Sequence, residues 1–254
     1  MPYFDSVADA YFDRYREDSI GGHALRERKA RVLELLEGVR GRVLDVGCGP
    51  GVMVQDLLDR GLEVWGLDAA PGMIEQCRER FGKTSRAHFV LGEATKLSFP
   101  DGFFDALISI GVLDRIQSCD LALAEMARVV KRGGTFLVSF PNLLSPYAVW
   151  KNFVFYPIVG LLRHAYYGLA RRPIPQGPPL SFASLRTRRA AARLMAGHKV
   201  QVAEAVYFHF NLFLSPLDDL IRPLAVKVTG RFEGLRFGRM RWLGVGFILI
   251  ARKH

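Results

Sequence analysis

The chain predicts an α/β fold built on a mostly parallel sheet with helices on both faces. Three observations carry this. Short apolar runs alternate with amphipathic segments from Arg42 to Phe140. The connections between them are short, as parallel strands joined by crossover helices require. The first run, Val43-Leu44-Asp45-Val46, passes straight into Gly47-Cys48-Gly49-Pro50-Gly51 and then into a helix-like segment. Glycines there let the backbone turn tightly and approach a ligand, and the free N–H groups of the next helix face it.

The elements follow in order. The first forty residues read as helical. Ala24 to Glu37 is the clearest part, with Leu25, Val32, Leu33, Leu35 and Leu36 on one side and charges elsewhere. Strands are expected at Arg42–Val46, Glu63–Leu67, Ala87–Leu91, Phe104–Ile110 and Thr135–Phe140. Helices are expected at Val52–Arg60, Gly72–Phe81 and Asp120–Val130, the last burying Leu121, Ala124 and Val129 and ending at Gly133-Gly134. After Phe140 the rhythm breaks. An aromatic and basic stretch leads to the proline-rich link Arg172–Pro179. A basic helix over Ser181–Ala196 and a long strand over Lys199–Phe210 follow. A second irregular stretch, 211–239, precedes a final strand over Trp242–Ala251. The organisation is therefore 1–140, a nucleotide-type core with a helical N-terminal cap; 141–198, an insertion; and 199–254, strands that complete the sheet.

Charge is uneven. Residues 1–130 carry 16 Lys and Arg against 21 Asp and Glu, and residues 131–254 carry 19 against 4. The basic half points to an anionic partner, a membrane surface or a nucleic acid. Cys48, Cys77 and Cys119 show neither metal spacing nor a disulfide framework, which fits a reducing compartment. The N-terminus lacks a signal-peptide core, and the best apolar stretch, Asn152 to Leu162, is 11 residues with Pro157 inside it. A cytoplasmic protein, membrane-associated at most, is expected.

Glycine spacing separates the nucleotide folds. Dinucleotide enzymes use G-x-G-x-x-G, whereas here Asp45 stands two residues before Gly47-Cys48-Gly49-Pro50-Gly51. This resembles the first motif of the class I S-adenosylmethionine (SAM)-dependent methyltransferases, in their ubiquinone/menaquinone-biosynthesis-like, type 11 branch. Other stretches match in order: Val64-Trp65-Gly66-Leu67-Asp68, the turn Ala69-Ala70-Pro71-Gly72 with Met73, Gly92-Glu93-Ala94, Phe99 to Ser109, and Arg128 to Gly134. The resemblance covers residues 1–140 and, more loosely, Gly246–Lys253. It implies a Rossmann-like sheet of seven strands, the last antiparallel, with a helical insertion after the fifth. It implies SAM as cofactor.

The resemblance also assigns roles. Asp68, 21 residues after Gly47, would accept both ribose hydroxyls. Glu93, with the Ala94 backbone, would reach the adenine amino group. Asp45, Gly47, Cys48 and Gly49 would form the SAM turn, with Ala69 and Met73 beside it and Ile110 beneath the methionine part. Tyr11 or Tyr15 would touch the sulfonium region by cation–π attraction, and Arg26 or Arg28 would pair with the SAM carboxylate.

Catalysis is less legible. The ubiquinone-type O-methyltransferases show Leu-Glu-His after strand 4, and this chain has Leu113-Asp114-Arg115. Arginine is no base at pH 7, which also argues against a metal there. Arg115 fits an anionic group of the acceptor instead. His164 and His209 are the remaining candidates for a base. Trp150, Phe153, Phe155, Tyr156 and Ile158 with Lys151, Arg163, Arg171 and Arg172 fit a lid over an acceptor or a membrane contact, extended by Arg186, Arg188, Arg189 and Arg193. The expected function is methyl transfer to a small lipophilic or aromatic acceptor, O-methylation favoured. An RNA methyltransferase is disfavoured, since the chain has no Asn/Asp-Pro-Pro-Tyr motif and no RNA-binding module. A non-catalytic SAM-binding protein is the remaining alternative, and the oligomeric state is left open.

Overall fold

The computed structural model describes residues 8–169, 186–208, 227 and 243–254. The helices are α1 (Ala8–Tyr11), α2 (Ile20–Leu35), α3 (Val54–Asp59), α4 (Pro71–Phe81), α5 (Cys119–Val129), α6 (Pro146–Trp150), α7 (Tyr156–Leu169) and α8 (Arg188–Gly197). The strands are β1 (Arg42–Val46), β2 (Glu63–Asp68), β3 (Ala87–Leu91), β4 (Phe104–Ser109), β5 (Val130–Pro141), β6 (Val200–Phe208) and β7 (Gly246–Lys253). They form one seven-stranded sheet in the order β3-β2-β1-β4-β5-β7-β6. β1 to β5 run parallel, and β7 runs antiparallel to both β5 and β6. The expected Rossmann-like sheet is therefore present.

Alternation along the strands explains the two layers. Leu44, Val46, Leu107, Phe136 and Val138 face α5 and α8, which contribute Ala122, Leu123, Met126, Ala191 and Met195. Val43, Val64, Ala106, Ile108 and Leu137 face α2 and α3, which contribute Val32, Leu33, Leu57 and Leu58, with Leu36 just after α2. Both faces are buried, so the strands read as continuous apolar runs. Local chemistry sets the helix starts. The Ser19 side chain accepts the Gly22 N–H at 2.9 Å before α2, and Thr187 does the same for Ala190 at 3.2 Å before α8. Pro71 opens α4.

Three expectations change. Gly133-Gly134 does not end the preceding helix. α5 stops at Val129, and Val130 is already extended and paired with Phe104. The glycines lie instead where the β4–β5 register slips between Phe104 and Ala106, and Gly133 takes a φ of 76° there. Leu121 is 58 % exposed, and the buried stripe is Cys119, Ala122, Leu123, Met126, Ala127 and Val129. The helical phase is turned by one residue from the reading above. The last strand begins at Gly246, and the basic helix at Arg188; 181–185 and Trp242 lie outside the described residues. As expected, the insertion is helical, from Pro146 to Leu169, with a π-helical stretch, Lys151–Phe155, ahead of Pro157. Proline lacks the N–H that a regular α-turn would use at that point.

Candidate functional site

β2 and β3 lie on one side of β1, and β4 and β5 on the other. The chain thus reverses its direction of travel across the sheet between β1 and β4, and ligands sit at such a switch point, outside the carboxyl ends of the strands. A cleft of about 720 Å³ opens there, within the range of ligand sites. Its walls are Val46, Gly47 and Gly49 after β1, Leu67, Asp68, Ala69 and Met73 after β2, Leu91 to Thr95 after β3, and Ile110 to Val112 with Arg115 to Ser118 after β4. Tyr11 and Arg28 close it from the N-terminal cap.

The glycine turn is tied to β2. The N–H groups of Gly47 and Cys48 both donate to the Leu67 carbonyl, at 2.7 and 3.1 Å. Asp68 accepts the Gly49 N–H at 2.9 Å on one oxygen and the Ala70 N–H at 3.0 Å on the other. Gly47 and Gly49 have φ of 76° and 54°, a conformation that glycine adopts without strain. A Cβ on Gly47 would also collide with the Val112 side chain.

Behind the turn lies a smaller cavity of about 50 Å³, lined by Asp45, Cys48, Tyr15, Val32 and Met53 and sharing Tyr11, Arg28, Gly47, Gly49 and Ile110 with the cleft. Asp45 is buried, and among the described residues its Oδ2 has no hydrogen-bond partner. Burial, with the charge of Asp68 beside it, pushes its carboxyl up to about 7. Burial also raises the Tyr15 hydroxyl, against the opposing effect of Arg28, which hydrogen-bonds it. The Cys48 and Cys77 thiols both donate to the Gly49 carbonyl, at 3.5 and 3.2 Å. The adjacent Cys77 thiol and burial raise Cys48 well above the usual thiol range.

The structure thus brings Gly47, Gly49, Asp68, Ala69, Met73, Glu93, Ala94, Ile110, Tyr11 and Arg28 to one cleft, and places Asp45 and Cys48 in the cavity behind it. Arg26 is used differently from Arg28. It donates to the Tyr15 and Glu17 carbonyls at 2.8 and 2.9 Å and pins the cap. Phe12 joins the cap to the turn: the Arg80 guanidinium lies 4.1 Å from its ring centre and donates to the Pro50 carbonyl at 3.3 Å. Arg115 lines the cleft, with Nε donating to the Gly111 carbonyl at 3.2 Å and 4.0 Å from Asp114 Oδ2. His164 falls on α7; its side chain, like all of His209, lies outside the described residues. Sequence reasoning missed Thr95, Ile116, Gln117 and Ser118. The available signal was position, since residues just beyond a parallel strand's carboxyl end face the ligand.

A family profile described as "Methyltransferase domain" matches residues 44–138. The demethylmenaquinone methyltransferase of Renibacterium salmoninarum is 38 % identical over 140 residues, 54 % of this chain and 56 % of that protein. A malonyl-[acyl-carrier protein] O-methyltransferase of Serratia marcescens is 36 % identical over 98 residues, 39 % of this chain and 37 % of that protein. The chain spans 33 % to 58 % of the length of the curated relatives it matches. Among solved structures, a methyltransferase from Haloferax volcanii in complex with the Trm112 activator aligns with TM-score 0.63 at 19 % identity, covering 99 % of this chain and 98 % of that one. A SAM-dependent methyltransferase from Thermotoga maritima aligns with TM-score 0.62 at 15 % identity, over 99 % and 98 %. At such identities these two speak for the fold. Sequence, profile and fold agree: residues 44–138 match a methyltransferase-domain profile, the relatives that share them are methyltransferases, and the fold is that of a SAM-dependent methyltransferase.

Proposed function

We propose that the chain is a SAM-dependent methyltransferase acting on a small lipophilic or aromatic acceptor, with transfer to oxygen, in the cytoplasm and at an anionic membrane surface. The observation that carries the first part is the convergence of the glycine turn, Asp68 and Glu93 on one cleft. The cradle fits the cofactor. Gly47 leaves no space for a side chain, Asp68 and Glu93 supply acceptors after β2 and β3, and Arg28 supplies a cation on the opposite wall. SAM, when bound, brings a methyl group already activated on a sulfonium. The residues of this chain then have to position and desolvate it. Asp68 would take the ribose hydroxyls, Glu93 and the Ala94 backbone the adenine edge, and Tyr11 the sulfonium side. Arg28 would take the carboxylate. Asp45, Cys48 and Ala69 would support the turn, with Met73 and Ile110 as apolar walls. An oxygen that is already ionised needs no general base, which agrees with an arginine at position 115.

Residues 1–140 are assigned to SAM, 141–198 to the acceptor lid or membrane contact, and 199–254 to completing the sheet. The membrane part is supported by α7 and the turns before it. Phe153 is 56 % exposed, and Leu161, Leu162 and Leu169 are 72, 64 and 88 % exposed. Exposed apolar side chains, in a half of the chain that carries 19 Lys and Arg against 4 Asp and Glu, fit an interfacial contact. Arg171 and Arg172 lie outside the described residues. Among the described residues no helix is long and apolar enough to cross a membrane. The test is calorimetric titration with SAM, followed by transfer of labelled methyl into a lipid extract. Saturable SAM binding and labelled lipophilic product are expected. Absence of SAM binding would overturn the reading, and label incorporated into RNA alone would replace the acceptor class.

A further inference from the structure

We propose that Arg115 and Arg186 form a subsite for an anionic group, a carboxylate or a phosphate, carried by the methyl acceptor. The proposal rests on the methyltransferase reading and names the acceptor's chemistry. Charge is sorted along the cleft. Its acids, Asp68 and Glu93, stand after β2 and β3, whereas Arg28 and Arg115 stand at the β4 side. Arg186 is brought to that same side by the end of β5. Its N–H donates to the Pro141 carbonyl at 3.3 Å, and its carbonyl accepts the Leu143 N–H at 3.2 Å. Between those two, Asn142 is buried and locked, with its side-chain amide on the Gly244 carbonyl at 2.8 Å and its backbone N–H on the Val245 carbonyl at 2.9 Å. This part of the frame is rigid.

From that fixed backbone the Arg186 side chain hydrogen-bonds Cys119, the residue next to Ser118 on the cleft wall. Arg115 and Arg186 therefore stand at the two ends of the short segment 115–119. Among the described residues the acids nearby are Asp114, 4.0 Å from Arg115, and Asp120, whose carboxylate meets His198 at 2.8 Å. Arg188 and Arg189, both exposed, follow Arg186 after Thr187. Among the described residues the rim is net positive, so a cationic acceptor is disfavoured there and an oxyanion favoured. The guanidinium fork matches a pair of oxygens on a carboxylate or a phosphate.

The experiment titrates inorganic phosphate and, separately, malonate into the SAM-loaded protein by calorimetry at constant ionic strength. Saturable binding of at least one anion is expected, and the two arms distinguish phosphate from carboxylate. Arg115→Gln and Arg186→Gln should each weaken it at least tenfold, and Arg186→Lys should restore part. Arg186→Gln should leave SAM affinity within twofold, which also shows that it is folded. Unchanged anion binding in both glutamine variants overturns the subsite, as does SAM binding without any saturable anion binding. A protein that binds no SAM overturns the methyltransferase reading and the subsite with it.

Discussion

The carboxylate of Asp68 accepts the N–H of Gly49 at 2.9 Å, so the acid that ends β2 holds the glycine turn that ends β1. Its second oxygen accepts the Ala70 N–H at the start of α4. One side chain thus fixes two walls of the cleft before any ligand arrives. Asp68→Ala removes both ties and the proposed ribose acceptor together. Hydrogen bonds to a charged group are worth about 1.5–3 kcal/mol each, so SAM affinity should fall roughly 10- to 100-fold. Calorimetry checks this, and a change under threefold would separate Asp68 from the ligand.

Asp45 gives stability an unusual pH dependence. Its folded-state carboxyl titrates near 7 and its unfolded-state one near 3.8. Between those values the folded chain holds a proton that the unfolded chain has released. This group's contribution is therefore full below about pH 4 and is lost as pH rises to about 7, by up to roughly 1.4 kcal/mol per pH unit. Asp45→Asn keeps the shape without the charge. Urea midpoints at pH 5, 6, 7 and 8 should show the variant gaining on the parent across that window. Parallel curves would show that the carboxyl does not titrate there.

Much of this frame is legible in the sequence because both sheet faces are buried. Val43 and Leu44 point to opposite layers, and both are apolar. What is not legible depends on partners far along the chain. Gly133-Gly134 carries the same local signal for a helix stop and for a strand irregularity, and only the pairing of Val130 with Phe104 decides between them. Asp45 reads as one more motif residue until its burial beside Asp68 is seen. Arg186 belongs to the rim through the backbone of Pro141 and Leu143, which no periodicity announces.

Gly47→Ala should destabilise the fold for two separable reasons. The φ of 76° costs a non-glycine residue about 1–2 kcal/mol. The new methyl also collides with Val112, which adds overpacking of about 1–3 kcal/mol. Val112→Ala in the Gly47→Ala background should recover the second cost and leave the first. Chemical denaturation of the two variants measures both. A loss under 0.5 kcal/mol, taken as about the effect of an ordinary surface change, would contradict the geometry.

Arg128 clamps the loop ahead of β4. Its guanidinium donates to both Glu125 oxygens at 2.8 and 2.9 Å, and to Asp101 and the Phe99 and Leu97 carbonyls at 2.8 Å each. Glu125 in turn accepts the Leu97 N–H at 2.8 Å, and its carboxyl is held low chiefly by Arg128. Lysine keeps the charge but not the fork. Arg128→Ala should cost about 2–4 kcal/mol and Arg128→Lys about 1–2 kcal/mol. Equal stability of parent and lysine variant in thermal denaturation would mean that charge alone matters.

The apolar surface of α7 offers a test that leaves the cleft untouched. Leu161 and Leu162 are largely exposed, so replacing them removes little packing. Burying an apolar side chain in a bilayer interface is worth about 25 cal/mol per Å². Losing two leucines therefore removes more than the 1.4 kcal/mol that corresponds to tenfold. The double variant Leu161→Gln/Leu162→Gln should sediment with anionic vesicles at least tenfold less than the parent, at unchanged SAM affinity. Charge and apolar contact are then separable by salt. Raising ionic strength weakens the contribution of the basic surface and leaves that of the leucines. Equal sedimentation of parent and variant at every salt concentration would assign the exposed leucines to some role other than lipid contact.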